Sequence, residues 1–162
     1  MNITRLDSRA VDRLAPLAAE FRATLLSYKG IRARADLNAG KEELLEFLEA
    51  GFPVFAAEEA GEYVGYLVCR IEEPCLWVEQ LFVAPKNRRK GIASMLFGRA
   101  EALAREMGEE TVFNYVHPNN EGIIQFLRSK GYTVLNMIEI RKPYKGETLT
   151  TTIRVGDKVF DY

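Results

Sequence analysis

Apolar and polar positions follow one another along this chain in two rhythms, and the changes of rhythm mark its elements. Residues 2–6 form a short β-like run. After Asp7-Ser8, a helix-start pair, Val11, Leu14, Leu17, Phe21 and Leu25 recur at intervals of three and four, the spacing of one buried helix face. Pro16 inside this stretch predicts a kink or a restart. A second helix is expected from near Asn38 on the strength of Leu44, Leu45 and Leu48, with Gly51 at its stop and Pro53 forbidding continuation.

From residue 53 the pattern becomes strand-like. Residues 53–58 and 63–70 are β-like runs joined through Glu59-Ala60-Gly61-Glu62, a hairpin signal, and residues 75–83 follow the turn at Glu72-Glu73-Pro74. These three predict an antiparallel meander. A helix is expected over about residues 91–107 with Ile92, Leu96, Ala100 and Leu103 on one stripe and Gly108 as its stop. A strand over 111–116, a helix over 120–130 ended by Gly131, and a strand over 132–140 complete the series. Gly156-Asp157 joins two short runs in the tail into a hairpin. The order β-α-α-β-β-β-α-β-α-β plus a hairpin is an α/β (α+β) pattern with a mostly antiparallel sheet. It is expected as one domain over residues 1–162, with a core to about residue 142 and a hairpin extension over about 143–162.

Composition narrows the functions open to this fold. A length of 162 residues suits a single core, and 48% hydrophobic residues exclude a disordered chain. With 22 Lys and Arg against 23 Asp and Glu, the net charge of −1 argues against capture of a nucleic acid by the whole surface. No stretch approaches the roughly 20 apolar residues that span a bilayer, and the first seven residues hold no apolar run, so a cytoplasmic protein is expected. Cys69 and Cys75 are too few for a disulfide framework or a thiolate zinc site, and read as free thiols in a reducing compartment. His117 is the single histidine, so two-imidazole metal motifs are absent and no metal is expected.

One segment carries chemistry. Val83-Ala84-Pro85-Lys86-Asn87-Arg88-Arg89-Lys90-Gly91-Ile92-Ala93-Ser94 is a strand end, a basic turn and a helix start in succession. The first turn of a helix has N–H groups without partners and a positive dipole end, so it suits phosphate. Gly91 and Ala93 allow close backbone approach, and Arg88, Arg89 and Lys90 add charge. Lys-Arg runs are more often solvated loops. The coincidence with small residues and a helix start favours anion binding here.

These residues resemble the GNAT superfamily of N-acetyltransferases. Arg88-Arg89-Lys90-Gly91-Ile92-Ala93 fits that family's Gln/Arg-x-x-Gly-x-Gly/Ala pattern, preceded by a matching strand, Leu81-Phe82-Val83-Ala84-Pro85. Residues 120–132, an Asn that opens a helix ending in Gly-Tyr, are similar to the family's second signature. The resemblance implies a sheet splayed between the strands ending near Val83 and Val116, with acetyl-CoA in the opening. It implies that backbone groups of Leu81, Phe82 and Val83 meet the pantetheine arm, that Arg88, Arg89, Lys90, Gly91, Ile92, Ala93 and Ser94 hold the pyrophosphate, and that Asn120 contacts the arm from the other side. The implied activity is acetyl transfer to a primary amine by direct attack in a ternary complex.

An alkylammonium of pKa near 10.4 is unprotonated in only about one molecule in a thousand at neutral pH, so such a reaction asks for a base. Glu79 is the candidate, four residues before Val83, where family members carry a catalytic glutamate; alternation places it on one face with Leu81 and Val83. A strand-edge charge without a role is the competing reading. Many members carry a Tyr seven residues after the signature Asn, as an acid for the leaving thiolate, but Leu127 stands there. Tyr115, Tyr132 and, as a relay, His117 are the substitutes, each of which reads equally as an ordinary half-buried or surface residue. The acceptor, a small amine or a peptide, is expected at the first two helices, their basic connection, which holds Tyr28, Lys29, Arg32 and Arg34, and the strand and hairpin after Tyr132. The missing helix tyrosine keeps a non-catalytic acyl-CoA-binding module open as an alternative, and a protein N-terminal or lysine acetyltransferase is a further one. Neither nucleic acid nor membrane is an expected partner. The Thr-rich tail offers a β-edge for a homodimer.

Overall fold

A computed structural model describes Met1–Tyr162. Its elements are β1 (Asn2–Arg5), α1 (Val11–Tyr28), α2 (Leu37–Glu49), β2 (Val54–Glu59), β3 (Glu62–Glu72), β4 (Cys75–Val83), α3 (Ile92–Glu106), β5 (Phe113–Asn114), α4 (Glu121–Ser129), β6 (Thr152–Val155) and β7 (Lys158–Asp161). They fall into two compact units, Met1–Phe126 and Leu127–Tyr162, with the boundary inside α4.

The first unit is built on a sheet in the order β1-β2-β3-β4-β5, antiparallel except for the parallel β4–β5 pair. The expected meander is present. Its first turn, Ala60-Gly61, has positive φ at both residues (51° and 82°), the two-residue geometry whose twist matches a hairpin. The predicted first strand pairs with β2, Asn2 facing Glu58 and Arg5 facing Phe55.

Helix α1 runs unbroken through Pro16, because Ala15 and Leu17 on either side of it are buried in the same core. Asp36 caps α2 by accepting a hydrogen bond from the Ala39 N–H at 3.1 Å, two residues before the expected start. The two helices approach closely at Gly40, where a Cβ would lie 2.7 Å from the Ala19 nitrogen and 2.9 Å from the Ala15 carbonyl oxygen. The pair packs on the sheet through Leu14, Leu17, Leu44, Tyr66, Val68 and Phe82. Residues 64–69 of β3 are all buried. Alternation gives Tyr66 and Val68 to the α1 side, so Gly65 and Leu67 belong to the other. At Gly65 a Cβ would meet the Phe82 carbonyl at 2.9 Å and Leu96 of α3 at 3.3 Å.

Two strand expectations need correction. Of residues 111–116 only Phe113 and Asn114 pair, facing Trp77 and Val78 of β4. The parallel ladder stops where β4 bulges: Val68 faces Gln80 while its neighbour Cys69 faces Val78, so Glu79 is an extra residue with no ladder partner on β3. The second of the two strands between which the sheet splays therefore ends at Asn114 rather than near Val116.

The second correction lies in the Leu127–Tyr162 unit, where residues 132–140 form no strand. A strand needs a neighbouring ladder for its N–H and C=O groups, and the apolar content that suggested one sits exposed at Val134, Leu135, Met137, Ile138 and Ile140. Farther on, Arg141 grips Glu147 through two nitrogens at 2.8 and 2.7 Å, and that grip with the Tyr144 N–H holds the Glu147 carboxyl down at about 2. The terminal hairpin is present as β6–β7, turning at Gly156-Asp157.

Candidate functional site

A cleft opens in the first unit where β4 and β5 part. Its walls come from α1 (Phe21, Leu25), β4 (Val78, Glu79, Leu81), the β5 strand and its continuation (Asn114, Tyr115, Val116, His117) and the start of α4 (Asn120, Ile123). Beyond Val78, β4 has β3 on one side and no strand on the other.

The bulge decides how β4 presents its residues. Leu76 and Val78 face Ile71 and Cys69, whereas Gln80 and Phe82 face Val68 and Tyr66, so even-numbered positions change sheet face across Glu79. The expected alignment of Glu79 with Leu81 and Val83 is thereby corrected. Leu81 and Val83 lie with Leu67 and Gly65, while the Glu79 carboxylate pairs with Arg70, the partner of Trp77, its Oε2 3.2 Å from Arg70 Nε. Val83 is buried; Glu79 and Leu81 reach the cleft.

The segment from Arg88 to Ser94 supplies the expected helix start with a different use of its side chains. Gly91, at φ 80°, is the N-cap of α3, and no side chain caps the helix. Open space lies where a Gly91 Cβ would point, so its backbone can be approached. Arg89 adopts φ 65°, a left-handed conformation uncommon for a residue with a side chain. Arg88 folds back: its Nε donates to the Val83 carbonyl at 2.9 Å and its guanidinium lies over the Phe82 ring. That carbonyl is therefore already engaged by the protein. Lys90 pairs with Glu59 at 3.6 Å, and the Asn87 amide donates to the same carboxylate at 3.3 Å. Ile92 is buried in the core, and Ala93 and Ser94 are half-buried on the first turn.

On the opposite wall, the Asn120 Oδ1 accepts from the Ile123 N–H at 3.2 Å and so caps α4, which leaves its NH2 donors as what it can offer a ligand. His117 stacks on Tyr28 with ring centroids 5.8 Å apart, and its Nδ1 accepts from the Asn119 N–H at 3.2 Å. Asn119 also donates to the Tyr28 carbonyl at 2.9 Å, which fixes the end of α1 at the cleft mouth. Burial, and then the Lys29 charge, lower the His117 pKa, so the imidazole is neutral at pH 7. Tyr115 is exposed and stacks flat on Trp77 at 4.6 Å. Tyr132 belongs to the second unit, where its N–H closes the end of α4 on the Leu127 carbonyl at 3.0 Å. Leu127 is buried.

Of the residues singled out in the sequence, Glu79, Leu81, Tyr115, His117 and Asn120 line this cleft, whereas Arg70 and Trp77, which contact Glu79 and Tyr115, were not singled out. Their signal, a charged and an aromatic residue on facing strands, becomes visible only once the register is known. No group of His, Cys, Asp and Glu gathers that would hold a metal ion, and no helix is long and apolar enough to cross a membrane.

A split sheet with an uncapped helix start beside it and a carboxylate on the wall of the opening can hold an anionic ligand next to a proton acceptor. Residues 19–132 match the acetyltransferase (GNAT) family, and the chain belongs to it. A curated relative, an uncharacterised N-acetyltransferase of Methanocaldococcus jannaschii, is 30% identical over 52% of this chain, which spans 39% of that protein's length. Among solved structures, the ribosomal-protein-alanine N-acetyltransferase of Brucella melitensis biovar Abortus superposes with a TM-score of 0.68 at 20% identity, over 88% of this chain and 99% of that one. An aminoglycoside 6'-N-acetyltransferase bound to a CoA-based bisubstrate analogue gives 0.68 at 16% identity, over 89% and 98%. At these identities the likeness is one of fold.

Proposed function

We propose that the protein transfers the acetyl group of acetyl-CoA to a primary amine, with Glu79 as general base. The observation that carries this reading is the bulge that puts an extra glutamate, without a ladder partner on β3, on the wall of the cleft. The residues fit the cosubstrate. Gly91 to Ala93 offer N–H groups and open space to a pyrophosphate, with Ser94 on the same turn and Arg89 and Lys90 adding charge, and Leu81 and Phe82 offer a strand edge to amide groups. Arg88 takes a supporting role, binding the Val83 carbonyl and steadying the turn.

Acetyl-CoA supplies a thioester carbonyl that an unprotonated amine can attack. Glu79 takes the proton from the bound alkylammonium to give that amine, Asn120 steadies the cosubstrate from the α4 side, and the apolar wall of Phe21, Leu25 and Ile123 keeps water from competing. Tyr115, exposed at the cleft, is the hydroxyl we assign to the leaving thiolate, with His117 as a neutral hydrogen-bonding neighbour rather than a relay. The acceptor is a small amine or a peptide, drawn in between α1 and the cleft. The reading includes a cytoplasmic homodimer joined at the edge of the terminal hairpin, checked by sedimentation equilibrium at twice the chain mass.

Thermal-shift titration tests the cosubstrate, since a ligand that binds the native state raises its stability by mass action. Acetyl-CoA should raise the midpoint and Gly91→Val should abolish the rise, because φ 80° and the approach are both lost. Glu79→Gln should bind acetyl-CoA normally and acetylate amines on the order of a hundredfold more slowly, with the defect shrinking at high pH. An unchanged rate in Glu79→Gln would remove the base; normal acetyl-CoA binding with no CoA release over a broad amine and peptide panel would make the protein an acyl-CoA-binding module.

A further inference from the structure

Arg70 is held from two sides before it meets Glu79. Its Nη1 lies 2.6 Å from Glu72 Oε1, and its guanidinium carbon sits 5.5 Å from the Trp77 ring centre and 5.9 Å from that of Tyr115. The two rings are stacked on each other, and Trp77 packs in turn on Phe113 at 4.9 Å. A planar guanidinium pinned by a carboxylate and an aromatic stack has little freedom left. Its Nε side lies beside Glu79. The Nε is buried and makes no hydrogen bond, while Glu79 Oε2 stands 3.2 Å away as an ion pair.

We infer that Arg70 is the positioning residue for Glu79, an inference that rests on the reading of Glu79 as base. The fold has no need of this contact: Glu79 is the residue that the bulge adds to the ladder, and Arg70 has a closer carboxylate in Glu72. The guanidinium stands against Oε2, which leaves Oε1 to take the proton from the amine nitrogen. Arg70 keeps all its protons throughout. The stack ties this geometry to the same β4–β5 pair whose parting opens the cleft, so the base is set from the closed end of the sheet.

The test is a double-mutant cycle on the full chain, read by steady-state acetylation. Arg70→Met should lower kcat on the order of tenfold, with KM for acetyl-CoA and its thermal shift within about twofold of wild type. Arg70→Lys, which keeps the charge and loses the fork, should recover part of the rate. In the Glu79→Gln background Arg70→Met should cost nothing more, because its effect passes through the carboxylate. Equal losses in both backgrounds would mean a packing role and overturn the inference, as would a wild-type kcat in Arg70→Met beside an impaired Glu79→Gln. A wild-type rate in Glu79→Gln would overturn the base itself, and this inference with it. If Arg70→Met does not fold, Glu72→Gln loosens the same guanidinium from its exposed side and should lower kcat in the same direction; an unchanged kcat there overturns the proposal.

Discussion

The Tyr66 hydroxyl donates to Gln80 Oε1 at 2.7 Å, inside the core between α1 and the sheet, where Tyr66 is fully buried and Gln80 is 5% exposed. Burial, with the nearby Glu43 charge adding to it, pushes the Tyr66 pKa up, so the phenol is a permanent donor. Tyr66→Phe strands the Gln80 oxygen and should cost about 1–3 kcal/mol by chemical denaturation, with the acetyl-CoA thermal shift retained.

Two helical glycines should respond in opposite directions to the same change. Helix propensity alone favours alanine over glycine by about 1 kcal/mol. At Gly98 of α3 nothing lies within 4 Å of the added carbon, and Gly98→Ala should stabilise by about that amount. At Gly40 the added carbon meets the Ala19 and Ala15 backbone at 2.7 and 2.9 Å, which cannot step aside as a side chain would. Gly40→Ala should destabilise by about 1–3 kcal/mol, and denaturant midpoints for the pair give the sign directly.

His117 should give stability a pH dependence. Its folded pKa lies below the ordinary 6.5, so between the two values the unfolded chain holds a proton that the folded one lacks. Its contribution is complete above about pH 6.5 and is lost as pH falls toward the folded pKa. The thermal midpoint of His117→Gln should therefore fall less than that of wild type over this window. Lys29→Gln should move the imidazole titration upward by NMR, since it removes a neighbouring positive charge.

The two thiols should differ in reactivity. Burial pushes the Cys69 pKa up to about 12, whereas Cys75 is partly exposed at the start of β4. Alkylation of the folded protein at mildly alkaline pH should label Cys75 alone, with Cys69 following only on denaturation; mass spectrometry of the tryptic peptides separates the two.

The parts of the fold written in local pattern were legible in the sequence. The stripe of Val11, Leu14 and Leu17, the Ala60-Gly61 turn and the Gly91 start of α3 each follow from spacing or backbone freedom in a few consecutive residues. The misread parts depended on a neighbour. Residues 132–140 have strand composition and no ladder, and β5 shrank to two residues because its partner bulges. The bulge hides for a further reason: Leu76, Val78, Gln80 and Phe82 are all buried at even positions, so the strand reads as regular although the first pair and the second lie on opposite faces. Arg70 was invisible for the same cause, since register alone sets it beside Trp77 and Glu79.

That hidden residue also means that the chain carries one amino acid more than its sheet requires. Removing Glu79 outright, unlike substituting it, would bring Val78 and Gln80 together as consecutive residues against Cys69 and Val68, with every other β3–β4 pairing unchanged. Loss of a single codon would thus restore a regular ladder while removing the proposed base, and a relative that had shed it would be recognised by its strand length before any assay.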